Sequence, residues 1–145
     1  MPPQVHSVGH SNRSIDEFIS VLKSHGIELL ADIRSYPRSK RNPHFDRENL
    51  EKLLPSHGIE YLWIKELGGM RSGGYAEYMK ADEFSRGLEE LMKTAGKKGT
   101  AFMCSELRWR ECHRSFVSEA LVSKGWEVMH IYDENETERH SMLLY

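Results

Sequence analysis

Two thiols, two carboxylates, an imidazole and three arginines fall within one short stretch, Cys104-Ser-Glu106-Leu-Arg-Trp109-Arg110-Glu-Cys112-His113-Arg114. A thiolate is both a nucleophile and a metal ligand, and positive neighbours or a helix N-terminus stabilise it. Three chemistries fit these residue types. In one, Cys104, Cys112 or Glu106 acts on an anionic ligand gripped by Arg114. In another, Cys104, Cys112, His113 and His10 hold a metal, although their spacing follows no standard zinc pattern. In the last, both thiols are inert packing and only His113 and Arg114 matter. Cys104 and Arg110 also share the C-x5-R spacing of phosphatase and rhodanese anion loops. The residues between them include no glycine, and Glu106 would repel an anion.

Other reactive types recur along the chain. Gly9-His10-Ser11-Asn12-Arg13 offers a proton shuttle or phosphate grip at His10 and Ser11, and a guanidinium fork at Arg13. Asp32-Ile-Arg34-Ser35 offers an acid, base or orienter. Alternatively, Asp32 pairs with Arg34 and fixes the loop. Arg38, Ser39, Lys40 and Arg41 make a basic loop beside Tyr36, suited to stacking a single-stranded base or simply to solvation. Glu66-Leu-Gly68-Gly69 and Gly73-Gly74 let backbone approach a ligand, or let a lid move. Neither glycine pair forms a Walker or G-x-G-x-x-G fingerprint, so no cofactor is indicated.

The elements that position these groups follow from pattern. Val5 to Val8 reads as a strand, interrupted by polar His6 and Ser7. Ser14 with Glu17 forms a capping box for a helix whose face is Ile15, Phe18, Ile19 and Leu22. Gly26 ends it, and Ile27 to Ile33 contains a second strand. Asp46 is placed to cap a helix with Leu50, Leu53 and Leu54 inward, closed by Pro55 and Gly58. Ile59 to Ile64 is a third strand. Tyr75 to Lys80 reads as a helical turn. A helix from about Asp82 places Phe84, Leu88 and Leu91 inward and ends by Gly96. Thr100 to Met103 is a fourth strand. The next helix turns Phe116, Val117, Ala120 and Leu121 inward, and Glu127 to Ile131 is a fifth strand. Asp133 to Tyr145 starts polar and ends apolar at Met142-Leu-Leu, and its form is left open.

His25-Gly-Ile-Glu-Leu-Leu, His57-Gly-Ile-Glu-Tyr-Leu and Lys124-Gly-Trp-Glu-Val-Met repeat one plan: helix end, glycine, strand. Repeated returns of this kind make β-α-β units. The expectation is a single doubly wound α/β domain over residues 1–145, with a mostly parallel sheet of about five strands flanked by helices. Ligands bind such sheets at the carboxyl ends of the strands.

Length and composition agree. The chain has 145 residues, 39% hydrophobic and 29% charged, as in a globular protein that buries a core. Two cysteines are not a disulfide framework. The absence of a long apolar run and of a signal-peptide pattern points to a cytoplasmic protein with no membrane partner. Residues 9–14, 32–47, 65–74 and 104–114, the strand-to-helix loops, hold eleven Lys or Arg against five Asp or Glu. The ligand edge is thus positive within a chain of net charge −2. Helix N-termini add partial positive charge there.

These motifs together resemble the DUF488 family. The resemblance rests on the run from Gly9 to Ser14, Asp32 to Ser39, Asn42-Pro43 with Phe45, Glu66 to Gly69, and Cys104 to Arg114. The family's usual Cys-Ala-Glu becomes Cys-Ser105-Glu here. The resemblance implies a compact α/β domain with the marked residues grouped, and it implies no particular reaction.

The leading expectation is an enzyme acting on a phosphate-bearing ligand, a nucleotide or nucleic acid. Arg13, Arg34 and Arg114 would hold the anion, with Ser11, Asn12, Ser35, Ser39, Gly68 and Gly69 around it. His10, Asp32 and Glu106 would move protons, and Cys104 or Cys112, beside His113, would be the nucleophile. The alternatives are a non-catalytic nucleic-acid module using Tyr36, Tyr75 and Trp109, and a thiol-based sulfur-transfer or redox enzyme.

Overall fold

The computed structural model describes residues 2–141, so the apolar run from Met142 lies outside the described residues. Six strands form one mixed sheet: β1 (Gln4–Gly9), β2 (Leu29–Asp32), β3 (Glu60–Trp63), β4 (Thr100–Cys104), β5 (Glu127–Ile131) and β6 (Thr137–Arg139). Their order is β3-β2-β4-β1-β5-β6. All neighbours pair parallel except β5 and β6. The sixth strand is the addition to the expected five, and it comes from the segment whose form the pattern left open.

Five helices cover the sheet: α1 (Ile15–Ser24), α2 (Arg47–Leu53), α3 (Tyr75–Tyr78), α4 (Asp82–Ala95) and α5 (Arg114–Ser123). The Ser14–Glu17 capping box forms as the sequence predicts. Asp46 does not cap α2 with its side chain; its Oδ1 accepts from the Ser39 N–H instead. Alternation along the strands splits the core in two. Val8, Leu30, Ala101, Met103 and Ile131 pack with α1 and α2. Val5, Ala31, Phe102 and Val128 pack with α4 and α5.

From β1 the chain winds through β2 to β3 at one edge, and from β4 it crosses to β5 on the other side of β1. The winding therefore reverses between β4 and β1, the topological switch point at which an open sheet leaves a crevice. The inward face of α5 differs from the expected one. Arg114, Ser115, Val117, Ser118 and Leu121 are buried, while Phe116 and Ala120 are half-buried. The helix is rotated so that Arg114, expected to grip a ligand, points into the protein. Among the described residues no helix is long and apolar enough to cross a membrane.

Candidate active site

Strand parity sorts the reactive groups. Ser7, Cys104 and His130 share the parity of Val5, Phe102 and Val128, so they belong to the α5 face. Asp32 shares the parity of Leu30 and belongs to the α1 and α2 face.

On the α5 face the sulfurs converge. Cys104 ends β4, and Cys112 lies two residues before α5. Arg114, the first residue of α5, is fully buried. Its Nε–H is shared between Cys104 Sγ at 3.1 Å and Cys112 Sγ at 3.4 Å. Its Nη1 donates to Ser7 Oγ at 3.1 Å, and its Nη2 to the carbonyls of Glu106 at 2.7 Å and Leu107 at 3.0 Å. The backbone N–H of Arg114 also donates to Cys112 Sγ, at 3.3 Å. Among the described residues no carboxylate forms an ion pair with this guanidinium.

A buried charge needs a counter-charge, and the two sulfurs are the groups placed to supply it. The neighbouring Cys104 pushes the Cys112 thiol down against its burial, with His113 and the Arg114 charge and backbone N–H adding to the effect. Burial pushes the Cys104 thiol well up. Arg114 itself is pushed up, because the sulfur charges more than offset its burial. The two directions are opposite, so Cys112 is the sulfur favoured as thiolate and Cys104 the one favoured as thiol. Cys104 is buried and Cys112 half-buried.

A cleft of about 400 Å³ opens over this pair, with Arg34, Ser35, Glu106, Cys112 and His113 in its wall. His113 Nε2 donates to the Ile33 carbonyl at 2.6 Å and so ties the start of α5 to the end of β2. Gly69 permits this closeness, since a Cβ there would lie 2.6 Å from His113 Nδ1. Gly68 packs likewise, its Cβ position being 2.5 Å from Ser35 Oγ, which accepts from the Met70 N–H.

The other face carries a separate cluster. Asp32 is fully buried, and its Oδ1 accepts from Arg34 Nε at 2.9 Å while its Oδ2 accepts from Arg34 Nη2 at 2.7 Å. Tyr61 donates to the same Oδ2 at 2.5 Å. Arg34 Nη2 reaches on to the Phe45 carbonyl. Burial opposes the Arg34 charge, yet the Asp32 bond and charge leave the guanidinium pushed up. His10 stacks on Phe45, and its Nδ1 donates to the Ser11 carbonyl. Burial pushes His10 down to about 4, so the ring is neutral. His10 Nε2 and Arg34 Nη1 are buried with no partner among the described residues.

The cleft therefore unites Arg34, Ser35, Gly69, Cys104, Glu106, Cys112 and His113, with Arg114 behind the sulfurs. Asp32, His10 and Gly68 stand behind this wall, and Ser11, Asn12, Arg13 and Ser39 lie outside it. Arg13 donates to the carbonyls of Gly9 and Tyr132. Ser39 Oγ accepts from the Asn42 N–H. The structure corrects two aromatic assignments: Tyr75 and Trp109 are buried and cannot stack on a base, whereas Tyr36 is 71% exposed. Arg110, the arginine of the C-x5-R spacing, lies over the Trp109 ring and pairs with Glu138. Among the described residues no group of three or more His, Cys, Asp or Glu is placed to hold a metal. Residue patterning missed Ser7, His130, His140 and Glu119, which stand behind Arg114. The signals present were polar Ser7 and His130 inside their strands.

The loop after β4 is locked against β1 by backbone bonds from His10 N–H to the Cys104 carbonyl and from Ser11 N–H to the Ser105 carbonyl. A Cβ at Gly9 would fall 1.6 Å from the Glu106 carbonyl oxygen, itself an acceptor for Arg114. Gly9→Ala should therefore cost about 1–3 kcal/mol through forced backbone movement, read as a lowered urea midpoint. An unchanged midpoint would show that the two loops are not so tightly docked.

Fold and site together define an α/β protein with a paired-thiol cleft at the switch point of its sheet. The chain belongs to the family described as Domain of unknown function DUF488, which matches residues 14–121. No curated protein and no solved structure matches the chain.

Proposed function

We propose that this protein is a thiol-based oxidoreductase acting on a small disulfide in the cleft, with Cys112 as nucleophile and Cys104 as the resolving thiol. One observation carries the reading: the buried Arg114 guanidinium faces two sulfurs and no carboxylate. A second thiol beside the nucleophile favours a sulfur electrophile over acyl or phosphoryl transfer. The Cys112 thiolate attacks one sulfur of the substrate, forming a mixed disulfide and releasing the other half as thiolate. Cys104 then loses its proton to that leaving group and attacks Cys112 Sγ. The Cys104–Cys112 disulfide forms and the second substrate thiol departs. The substrate is reduced by two electrons and the protein oxidised by two, and a thiol reductant reverses the change.

Alkylation of Cys112 by iodoacetamide, followed by mass spectrometry from pH 4 to 9, tests this. A low-pKa thiolate is more abundant at pH 6 but intrinsically less nucleophilic, by roughly half a log unit per pKa unit. Absolute rate therefore discriminates poorly, and the shape of the profile decides. The Cys112 rate should stay nearly flat from pH 5.5 to 8, with labelling of that peptide lost in Cys112→Ser. A tenfold rise per pH unit would mark an ordinary thiol and end the proposal. Addition of an oxidised small-molecule disulfide should also yield the Cys104–Cys112 bond.

A phosphate-bearing ligand is the second reading. It is favoured by Arg34, which lines the cleft and whose Nη1 has no partner among the described residues. Thermal shift with nucleotides and phosphate tests it: stabilisation that survives high salt supports it, and none from any anion removes it.

A further inference from the structure

We infer that Ser7, His130, His140 and Glu119 form a one-way hydrogen-bond chain that positions Arg114 against the two sulfurs, a role that rests on the thiolate reading above. Ser7 and His130 are register partners on the adjacent strands β1 and β5. Ser7 Oγ lies 2.5 Å from His130 Nδ1, His130 Nε2 lies 2.9 Å from His140 Nδ1, and His140 Nε2 lies 3.2 Å from Glu119 Oε1. Ser7, His130 and His140 are buried.

With both imidazoles neutral, an acceptor carboxylate at one end and a donor guanidinium at the other fix the direction of every link. A guanidinium only donates, so Ser7 Oγ must accept from Arg114 Nη1. The single Ser7 proton is then free for His130 Nδ1. His130 consequently carries its proton on Nε2 and donates to His140 Nδ1. His140 carries its own on Nε2 and donates to the Glu119 carboxylate. The chain closes only if both imidazoles are neutral. Burial pushes His130 down to about 2, with the charges of His140, Arg114 and Arg110 adding to the effect. Burial also pushes His140 down, against the opposing pull of Glu119.

A clamp holds the chain in place. Trp109 stacks on His130 with centroids 4.5 Å apart and planes 7° apart, and meets His140 edge-on. Trp109 Nε1 donates to Glu138 on β6, which is itself paired with β5. His140 follows β6 directly. The antiparallel edge strand thus completes a support for the thiolate, so the last described residues belong to the site.

Two measurements test this separately from the thiolate reading. Long-range proton–nitrogen NMR of the wild type at neutral pH should report neutral Nε2–H tautomers for both His130 and His140. An Nδ1–H tautomer at either ring would overturn the chain. The alkylation midpoint of Cys112 should rise by about one pH unit in Ser7→Ala and in His130→Phe. The second variant keeps a ring against Trp109. Ser7→Thr, which retains the hydroxyl, should keep the wild-type midpoint. The groups facing Cys112 in this titration are Cys104, His113, Arg114 and Tyr75, none of them altered in these variants. A flat wild-type profile with unmoved midpoints in folded Ser7→Ala and His130→Phe would overturn the positioning role alone. A steep wild-type profile would overturn the thiolate reading, and the positioning role with it.

Discussion

Replacing Arg114 with methionine is expected to move the Cys112 midpoint upward, towards that of an ordinary thiol. Methionine fills much of the same space but offers no N–H. The Nε–H shared by both sulfurs disappears, and with it the buried positive charge. The backbone N–H at position 114 remains, but alone it does not replace a full charge. The alkylation midpoint of Cys112 should rise but stay below the ordinary thiol value of about 8.5, because Cys104 and His113 remain beside the sulfur.

Stability should fall by about 2–4 kcal/mol. Ser7 Oγ and the carbonyls of Glu106 and Leu107 all lose a charged donor. The loss is limited because Cys112 can take up a proton and shed its charge. Its pH dependence has a definite sign. Cys112 has a folded pKa below its unfolded one, so its contribution is full above the unfolded value and fades as pH falls through the folded one. The stability gap between wild type and Arg114→Met should therefore be wide near pH 8 and narrow towards pH 5. Cys104, pushed up by burial, acts in the opposite sense only above the unfolded thiol value. Urea denaturation at the two pH values checks this, and a gap that widens on acidification would exclude a thiolate.

The sequence places the site better than it assigns roles within it. The Ser14–Glu17 box and the repeated glycine returns put α1 and three parallel strands where they are found. They leave the segment from Cys104 to Arg114 at the carboxyl edge of the sheet, beside His10. Beyond that, the same residues support contrary readings until coordinates choose. Asp32 and Arg34 two residues apart fit an acid and an anion grip as well as an ion pair, and the structure shows the pair. Arg114 reads as an outward ligand grip because helix patterning treats arginine as polar. What holds it inward is its bonds to Cys104, Cys112, Ser7 and the carbonyls of Glu106 and Leu107, and no apolar periodicity carries that information. Ser7 and His130 sit 123 positions apart and meet only because β1 lies beside β5. β6 is three residues long, too short to stand out from its polar surroundings.

The largest loss of stability is expected on the opposite face of the sheet, from Asp32→Ala. Asp32 is completely buried and accepts two bonds from the Arg34 guanidinium, one from the Arg34 backbone N–H and one from Tyr61. Removing the carboxylate strands a guanidinium that is 4% exposed. Here the contrast with Cys112 is decisive. A thiolate deprived of its partner can protonate, but arginine cannot be deprotonated in a protein. Arg34 must then stay charged without compensation or drag its loop into water, and either course costs about 3–5 kcal/mol. The double replacement Asp32→Leu with Arg34→Met should restore most of that loss, since it removes both charges and returns apolar volume. Urea midpoints of the single and double variants measure the difference. A loss below about 1 kcal/mol for Asp32→Ala would mean that water already reaches the pair. The same variants bear on chemistry. Asp32 has no bond to Cys104, Cys112 or Arg114, so the flat alkylation profile of Cys112 should persist in the folded double variant. If that profile became steep, the two clusters would be coupled through the cleft wall, and Asp32 would join the thiol machinery instead of supporting the fold beneath it.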